Sequence, residues 1–157
     1  MSNILIAESG ATKTDWKLIT AAGKTISFGT TGINPYIQSS EQIETLLKEE
    51  LGWNDKKHKA DEVFYYGAGA SDKEYQQKIK KLLVPFFKTK KVEVNHDMLA
   101  AARATCQNEK GIVCILGTGS NSCYYDGKKI KKQQRSLGYI AGDEGRRNYL
   151  GKPVLEN

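Results

Sequence analysis

The sequence has few cysteines, few histidines and no long apolar segment among its 157 residues. Its three cysteines, Cys106, Cys114 and Cys123, lack the CxxC spacing of zinc and redox sites, so we interpret them as small, buried, reduced side chains. The early apolar run Ile4–Ala7 has no basic segment before it, and no run approaches the roughly 20 apolar residues of a membrane-spanning helix. These absences predict a soluble, cytoplasmic protein without a membrane partner.

The net charge of +6 comes from 24 basic and 18 acidic residues. Most of the excess lies in three lysine-rich runs, at 56–59, 78–91 and 128–135, and acidic residues lie beside the first two. Aromatic residues do not alternate with the basic ones as they do on a surface that stacks nucleic-acid bases. The pattern therefore favours a solvated protein face, and we expect no nucleic-acid partner.

Hydropathy patterns along the chain predict an α/β fold with a mixed sheet and the element order βββαβαβα. Three short strands, beginning near residues 3, 16 and 24, form an opening meander. Two helices then begin at capping-box pairs, Ser39 with Gln42 and Ser71 with Glu74, and the second should end at Pro85. A short strand before Asp97 and an Ala-rich helix after it complete the series.

The pattern then restarts with a second meander. Ile112–Leu116 and Ser122–Tyr125 are its first strands, and the dipeptide Asp126-Gly127 is a strong hairpin signal. Two related halves are therefore expected. The first lobe spans residues 1–108, and 109–157 form the incomplete beginning of a second lobe.

Each meander carries a loop rich in glycine and hydroxyl groups between its first two strands. In the first loop, Gly10 would let backbone N–H groups approach an anion, and Ser9, Thr12 and Thr14 would add hydroxyl donors without bulk. The second loop, GTGSNS from residue 117, has the same character, so the two loops could clamp a triphosphate. Glu8 could hold a hydrated Mg²⁺ between its carboxylate and the phosphates. The alternative is that both loops are ordinary turns.

Two further places carry acidic residues in suggestive positions. Asp97 lies where a strand meets a helix, which suits either a base that accepts a hydroxyl proton or a simple helix cap. His96 beside it, and His58 in a lysine run, have no partner spacing and are interpreted as incidental. Asp143 and Glu144 lie in the glycine-flanked segment SLGYIAGDEG, where they could bind sugar hydroxyls or a metal, or form a surface turn.

Five segments occur in a characteristic order: AESGATKTDWKL, INPY, NHDMLAAARA, ILGTGSNS and LGYIAGDEG. In this order and spacing they resemble the BadF/BadG/BcrA/BcrD ATPase family, and within it the N-acetylglucosamine kinase-like members of the actin-like/sugar kinase/Hsp70 superfamily. The resemblance covers essentially the whole chain. It implies ribonuclease H-like lobes with ATP and Mg²⁺ in the cleft between them, and phosphoryl transfer to the 6-hydroxyl of an amino sugar.

The resemblance also implies roles for individual residues. Asp97 would be the catalytic base, and Glu8 would bind Mg²⁺ through water. Contacts to phosphate or ATP would come from Gly10, Thr12, Lys13, Thr118 and Gly119. Contacts to the sugar would come from Asn34, Ser120, Asn121, Gly138, Tyr139 and Asp143.

The downstream half of the family, including its adenosine-binding segment, has no counterpart in the 157 residues, and Arg146-Arg147 stand where relatives have small residues. We therefore expect this chain alone to be inactive as a kinase and to self-associate through its truncated face. Two other interpretations remain open. One is a non-catalytic half-kinase module that acts structurally, and the other is a BadF-type activator ATPase. The positions of the three cysteines argue against the activator, which holds an iron–sulfur cluster through paired cysteines.

Overall fold

The computed structural model describes residues 2–116 and 120–134 of the chain. Two compact units divide the chain, Met1–Asp97 and Met98–Asn157. The sequence pattern instead predicts a boundary between lobes near residue 108, and that lobe boundary stays a prediction. Among the described residues, no helix is both long enough and apolar enough to cross a membrane.

The first unit is built on a five-stranded mixed sheet. Its strands lie side by side in the order β3-β2-β1-β4-β5. β1 pairs antiparallel with β2 and parallel with β4, and β5 continues the sheet parallel to β4. With α3, which follows β5 directly, the predicted order βββαβαβα is confirmed. The elements are β1 Ile4–Ser9, β2 Lys13–Ile19, β3 Thr25–Thr31, α1 Ser40–Glu50, β4 Glu62–Gly67, α2 Lys73–Phe86, β5 Val92–His96 and α3 Asp97–Cys106.

One face of this sheet carries the hydrophobic core, because alternate residues of each strand point to the same side. The β2 strand reads exposed-buried-exposed throughout, with Thr14, Trp16 and Leu18 buried. α1 and α2 lay their apolar stripes on this face. Both helices therefore pack on one face of the sheet. The ends of the strands remain available to carry loops. The helix residues in the core are Ile43, Leu46, Leu47, Leu51, Ile79, Leu83 and Phe87.

The helix boundaries confirm one of the two predicted capping boxes. Ser39 accepts the backbone N–H of Gln42, and the Gln42 side chain accepts the N–H of Ser39. The second predicted capping box, Ser71 with Glu74, is wrong. The N-cap of α2 is Asp72, and its side chain makes no capping hydrogen bond. The reason is a competing partner, since the hydroxyl of Ser71 lies 2.7 Å from that of Tyr36.

The predicted end of α2 at Pro85 is also slightly early. Pro85 lies inside the last turn, and the helix runs to Phe86 before Phe87 donates its N–H to the carbonyl of Leu83. Proline removes one backbone donor, so the helix still ends within the same turn.

The second unit contains most of α3 and a three-stranded antiparallel sheet in the order β6-β7-β8. Its strands are β6 Lys110–Leu116, β7 Ser120–Asp126 and β8 Ile130–Gln134. Met98 and Ala102 of α3 pack with Val113, Cys123 and Tyr125 of the sheet. α3 therefore belongs to this core, although the sequence analysis grouped it with the first lobe.

The predicted hairpin at Asp126-Gly127 is confirmed in the second unit. Gly127 has a φ of +91°, a conformation that glycine adopts without strain. The Asp126 carboxylate accepts the backbone N–H groups of Lys128 and Lys129, which lower its pKa to about 2. The third strand of the meander, β8, begins at Ile130.

The three cysteines are free thiols with different environments. Cys123 is buried, as expected, whereas Cys106 is only half-buried. Cys114 is exposed, so the prediction of three buried side chains was wrong at this position. Alternation along β6 explains the difference, because Val113 faces α3 and its neighbour Cys114 therefore points to the other side of the sheet.

Candidate functional site

The residues assigned to chemistry in the first unit follow strands that end at one edge of the sheet. β1, β4 and β5 are mutually parallel, and β3 runs in the same direction because β2 is antiparallel to both β1 and β3. At this edge Ser9, Gly67 and His96 lie in register as neighbours across β1, β4 and β5. Ligands of α/β proteins bind outside the carboxyl ends of strands, so this edge is the candidate site.

The first loop of the site is the tip of the β1–β2 hairpin, residues 10–12. Its turn is closed by the N–H of Gly10, which donates to the carbonyl of Lys13 at 2.9 Å. Thr12 is exposed at the tip, where its hydroxyl can reach a ligand. The Lys13 ammonium pairs with the Asp15 carboxylate at 2.6 Å, and both side chains are exposed. A phosphate group at the tip would have to draw Lys13 away from Asp15.

Two of the three hydroxyls predicted to serve as ligand donors in this loop do not reach its surface. Ser9 and Thr14 are fully buried, and their hydroxyl oxygens lie 2.8 Å apart. Their hydrogen bonds go to each other, to Thr31 at the end of β3 and to Ile33 just after it. They are structural residues, and the prediction that they bind phosphate was wrong.

The second loop of the site begins with Gly32 and contains Asn34. The side-chain oxygen of Asn34 accepts the N–H of Tyr36 at 3.1 Å, and its backbone N–H donates to the side chain of Gln38 at 2.6 Å. The first of these bonds engages the side-chain oxygen and so orients the side-chain amide. Asn34 is half-buried and can therefore present two N–H donors to a ligand.

α2 holds this second loop from outside. The ammonium of Lys78 donates to the carbonyls of Pro35 and Gln38 at 2.9 and 2.6 Å. The ring of Tyr36 stacks on that of Tyr75 with centroids 4.0 Å apart. No sequence signal distinguishes Lys78, because it is one lysine among many in a basic run.

The carboxylates of Glu8, Asp15 and Asp97 lie near this same edge of the sheet. Partial burial raises the pKa of the Glu8 carboxyl above its ordinary value, and the Asp97 and Asp15 carboxylates raise it further, while Lys13 lowers it. Glu8 also pairs in register with Asp15, so their side chains share one face of the sheet. The mutual repulsion of these carboxylates is what a divalent cation would relieve, and oxygen ligands are the kind that Mg²⁺ prefers. Glu8 and its neighbours thus fit a hydrated Mg²⁺ shared with phosphate oxygens.

Among residues 2–116 and 120–134, no group of three or more His, Cys, Asp or Glu side chains is placed to hold a metal ion by itself. A Mg²⁺ ion at Glu8 would therefore need the phosphate oxygens of its substrate as further ligands. Mg²⁺ commonly binds in this way, through one or two carboxylates together with substrate phosphates.

Asp97 begins α3 immediately after His96 ends β5. The Nδ1 atom of His96 lies 3.1 Å from a carboxylate oxygen of Asp97, and both side chains are largely buried, at 16% and 20% exposed. His96 was interpreted as incidental from the sequence, yet it lies against the proposed base. His58, the other histidine, packs edge-on against Phe28 and beside Trp53, away from the site.

The residues predicted for the GTGSNS loop from residue 117, and for the segment that follows it, belong to the second unit. Ser120 and Asn121 begin β7, and as consecutive strand residues their side chains point to opposite faces of the sheet. The Asn121 oxygen accepts a hydrogen bond from Gln133 at 3.3 Å. Thr118, Gly119, Gly138, Tyr139 and Asp143 lie outside the described residues.

Comparisons with known proteins give a consistent result. No protein-family model matches the chain, and no curated protein matches it. Among solved structures, a Porphyromonas gingivalis protein provisionally named an N-acetylglucosamine kinase is 42% identical, with a TM-score of 0.86. The match covers 98% of this chain and 55% of that one.

Two more distant structures share the fold. A Chromobacterium violaceum protein with the same provisional name has a TM-score of 0.65 at 17% identity, over 99% of this chain and 56% of its own. A non-polymerising mutant of MamK bound to AMPPNP has a TM-score of 0.61 at 14% identity, over 99% of this chain and 59% of its own. The chain spans little more than half the length of these structures. The chain is N-acetylglucosamine kinase-like in structure and has the actin-like ATPase fold, as the five sequence segments predicted.

Proposed function

We propose that this chain supplies the phosphate-binding loop, the catalytic base and part of the sugar site of an ATP-dependent kinase for an N-acetylglucosamine-type amino sugar. The observation that carries the proposal is the convergence of the Gly10–Thr12 tip, Asn34, Glu8 and Asp97 at one sheet edge. The 42% identity to the P. gingivalis protein supports the choice of substrate class. Membership of the BadF/BadG/BcrA/BcrD family and a cytoplasmic location are part of the same proposal.

Each group at the edge has a task that phosphoryl transfer requires. The enzyme performs little covalent chemistry in such a transfer, so positioning and electrostatics dominate. The backbone N–H groups and the Thr12 hydroxyl at the tip would hold phosphate oxygens. Asn34 would donate from Nδ2 to a sugar oxygen, since its own oxygen is already occupied by Tyr36.

Asp97 would accept the proton of the sugar hydroxyl as that oxygen attacks the phosphoryl group. Its position between a strand end and a helix start fixes the carboxylate on rigid elements. Glu8 would hold the hydrated cation, and Mg²⁺, when bound, neutralises charge on the phosphate oxygens. A polypeptide of these 157 residues alone is expected to bind the sugar without completing the reaction, because the solved relatives are nearly twice as long.

Sugar binding by the 157-residue chain tests the role of Asn34. Asn34→Asp keeps an oxygen to accept the Tyr36 N–H but removes both Nδ2 donors, so N-acetylglucosamine affinity should fall about tenfold or more. Asn54→Asp is the matched control, because the Asn54 oxygen accepts the N–H of Lys56 at 2.9 Å in the same type of turn, away from the edge. Calorimetric titration of both variants decides the point, and equal affinities would exclude Asn34 from the sugar site.

Catalysis is tested in a chimera that joins this chain to the part of the P. gingivalis protein it does not cover. The chimera should transfer phosphate from Mg²⁺-ATP to N-acetylglucosamine, monitored by ADP release. A folded chimera that binds both substrates but releases no ADP would contradict the proposed activity.

A further inference from the structure

Two buried hydroxyls connect the loops on either side of the candidate site. Ser9 ends β1 and Thr14 lies in β2, and both side chains are fully buried. The Ile33 N–H donates to the Ser9 hydroxyl at 3.1 Å, and the Thr14 hydroxyl donates to the Thr31 carbonyl at 3.2 Å. The two hydroxyl oxygens lie 2.8 Å apart, where either can donate to the other, and the Ser9 hydroxyl also lies 3.4 Å from the Ile33 carbonyl. We call the Ser9 and Thr14 side chains the hydroxyl joint.

The hydroxyl joint lies between two ligand loops of the proposed kinase. Ser9 and Thr14 flank the phosphate-binding tip, and Ile33 immediately precedes Asn34. The backbones of the two loops also touch: a Cβ at Gly32 would lie 2.6 Å from the carbonyl oxygens of both Gly10 and Ala11. The tip therefore cannot shift without displacing Gly32 or breaking the joint.

We propose that Ser9 and Thr14 are positioning residues that couple phosphate binding at the tip to sugar binding at Asn34. The inference rests on the proposed function, which assigns those ligands to those loops. A fully bonded buried network tolerates few arrangements, so a ligand that fixes the tip also fixes the segment before Asn34. Such coupling is reciprocal, because each ligand must raise the affinity for the other by the same factor.

The coupling is measured on the 157-residue chain with N-acetylglucosamine and Mg²⁺-bound inorganic triphosphate. The sugar Kd is determined by NMR titration, with and without saturating triphosphate. We expect triphosphate to tighten sugar binding about fivefold or more in the wild type. Thr14→Val, which removes the hydroxyl at nearly constant volume, should reduce this ratio to below about twofold.

Three further variants separate coupling from general stability. Thr14→Ser keeps the hydroxyl and should keep the ratio. Thr89→Val removes a half-buried hydroxyl that donates to the Asp61 carbonyl at 2.8 Å, just before β4 and so at the opposite end of that strand from the site, and it should leave the ratio unchanged. Ser9→Ala breaks the joint from the other strand and should abolish coupling if Thr14→Val does not fold.

The outcomes distinguish this inference from the function on which it rests. If the sugar binds at Asn34 but the wild-type ratio is one, or if Ser9→Ala and Thr14→Val keep the wild-type ratio, the hydroxyl joint does not couple the loops. In that case the sugar assignment stands. If the amide signals of Asn34 do not respond to the sugar at all, the proposed function fails, and the inference fails with it.

Discussion

Replacement of Gly32 by alanine tests the contact between the two loops most directly. The new Cβ would lie 2.6 Å from two carbonyl oxygens, about 0.8 Å closer than ordinary van der Waals contact. Both oxygens belong to backbone that the hydroxyl joint holds in place, so neither can yield as a flexible side chain would. Overpacking of this kind costs about 1–3 kcal/mol, and the entropy that alanine removes from the unfolded chain returns about 0.4–1 kcal/mol.

We therefore expect Gly32→Ala to lower the free energy of unfolding by about 1–2 kcal/mol, which corresponds to a fall in Tm of about 2–8 °C for a chain of this size. Urea titration and calorimetry measure both quantities. Gly29→Ala is the control three residues away, since a Cβ there meets no atom within 4 Å. It should be neutral or slightly stabilising. Equal unfolding free energies for the two variants would refute the steric argument.

Three other predictions concern the carboxylates and the second unit. In the active chimera, Asp97→Asn should bind sugar within about tenfold of the unsubstituted protein but turn over roughly 100-fold more slowly, whereas a helix cap would tolerate Asn with no loss of rate. Glu8 has a raised pKa in the fold, so its ionisation opposes folding and stability declines as pH rises through that pKa. Glu8→Gln should therefore be more stable than the wild type at pH 7 but not below pH 4, roughly the unfolded pKa of glutamate. Mg²⁺ should raise the Tm of the wild type but not that of Glu8→Gln. Ile112 and Leu116 are 78% and 67% exposed on one face of the β6–β8 sheet, so the chain should self-associate in sedimentation experiments, and Ile112→Lys should weaken the association.

Much of the fold could be predicted from local patterns, but polar strand residues concealed where strands begin. The sequence placed the start of β2 at Trp16, because Lys13, Thr14 and Asp15 look like loop residues. In the structure β2 begins at Lys13. A threonine can lie in the core when its hydroxyl is bonded, and the partners of Thr14 are on β1 and at the end of β3. Such a partner cannot be identified from a local window of sequence.

The same limit applies to the candidate site. Motif resemblance located Gly10, Asn34 and Asp97, and the sheet brings the segments that contain them to one edge. Residue type alone did not distinguish Thr12, which is exposed, from Ser9 and Thr14, which are buried. That distinction depends on tertiary packing, because all three are hydroxyl residues in one short loop.

The parallel pairing of β1, β4 and β5 has a consequence for how this protein reaches its native state. Ser9, Gly67 and His96 are neighbours in the sheet although they are far apart in the chain. Pairings between distant segments form slowly, because the chain loses the entropy of closing a long loop before any stabilising contact forms. The edge that carries the loops therefore exists only after these three strands have assembled. Refolding followed by sugar binding should consequently lag behind the recovery of helical circular dichroism.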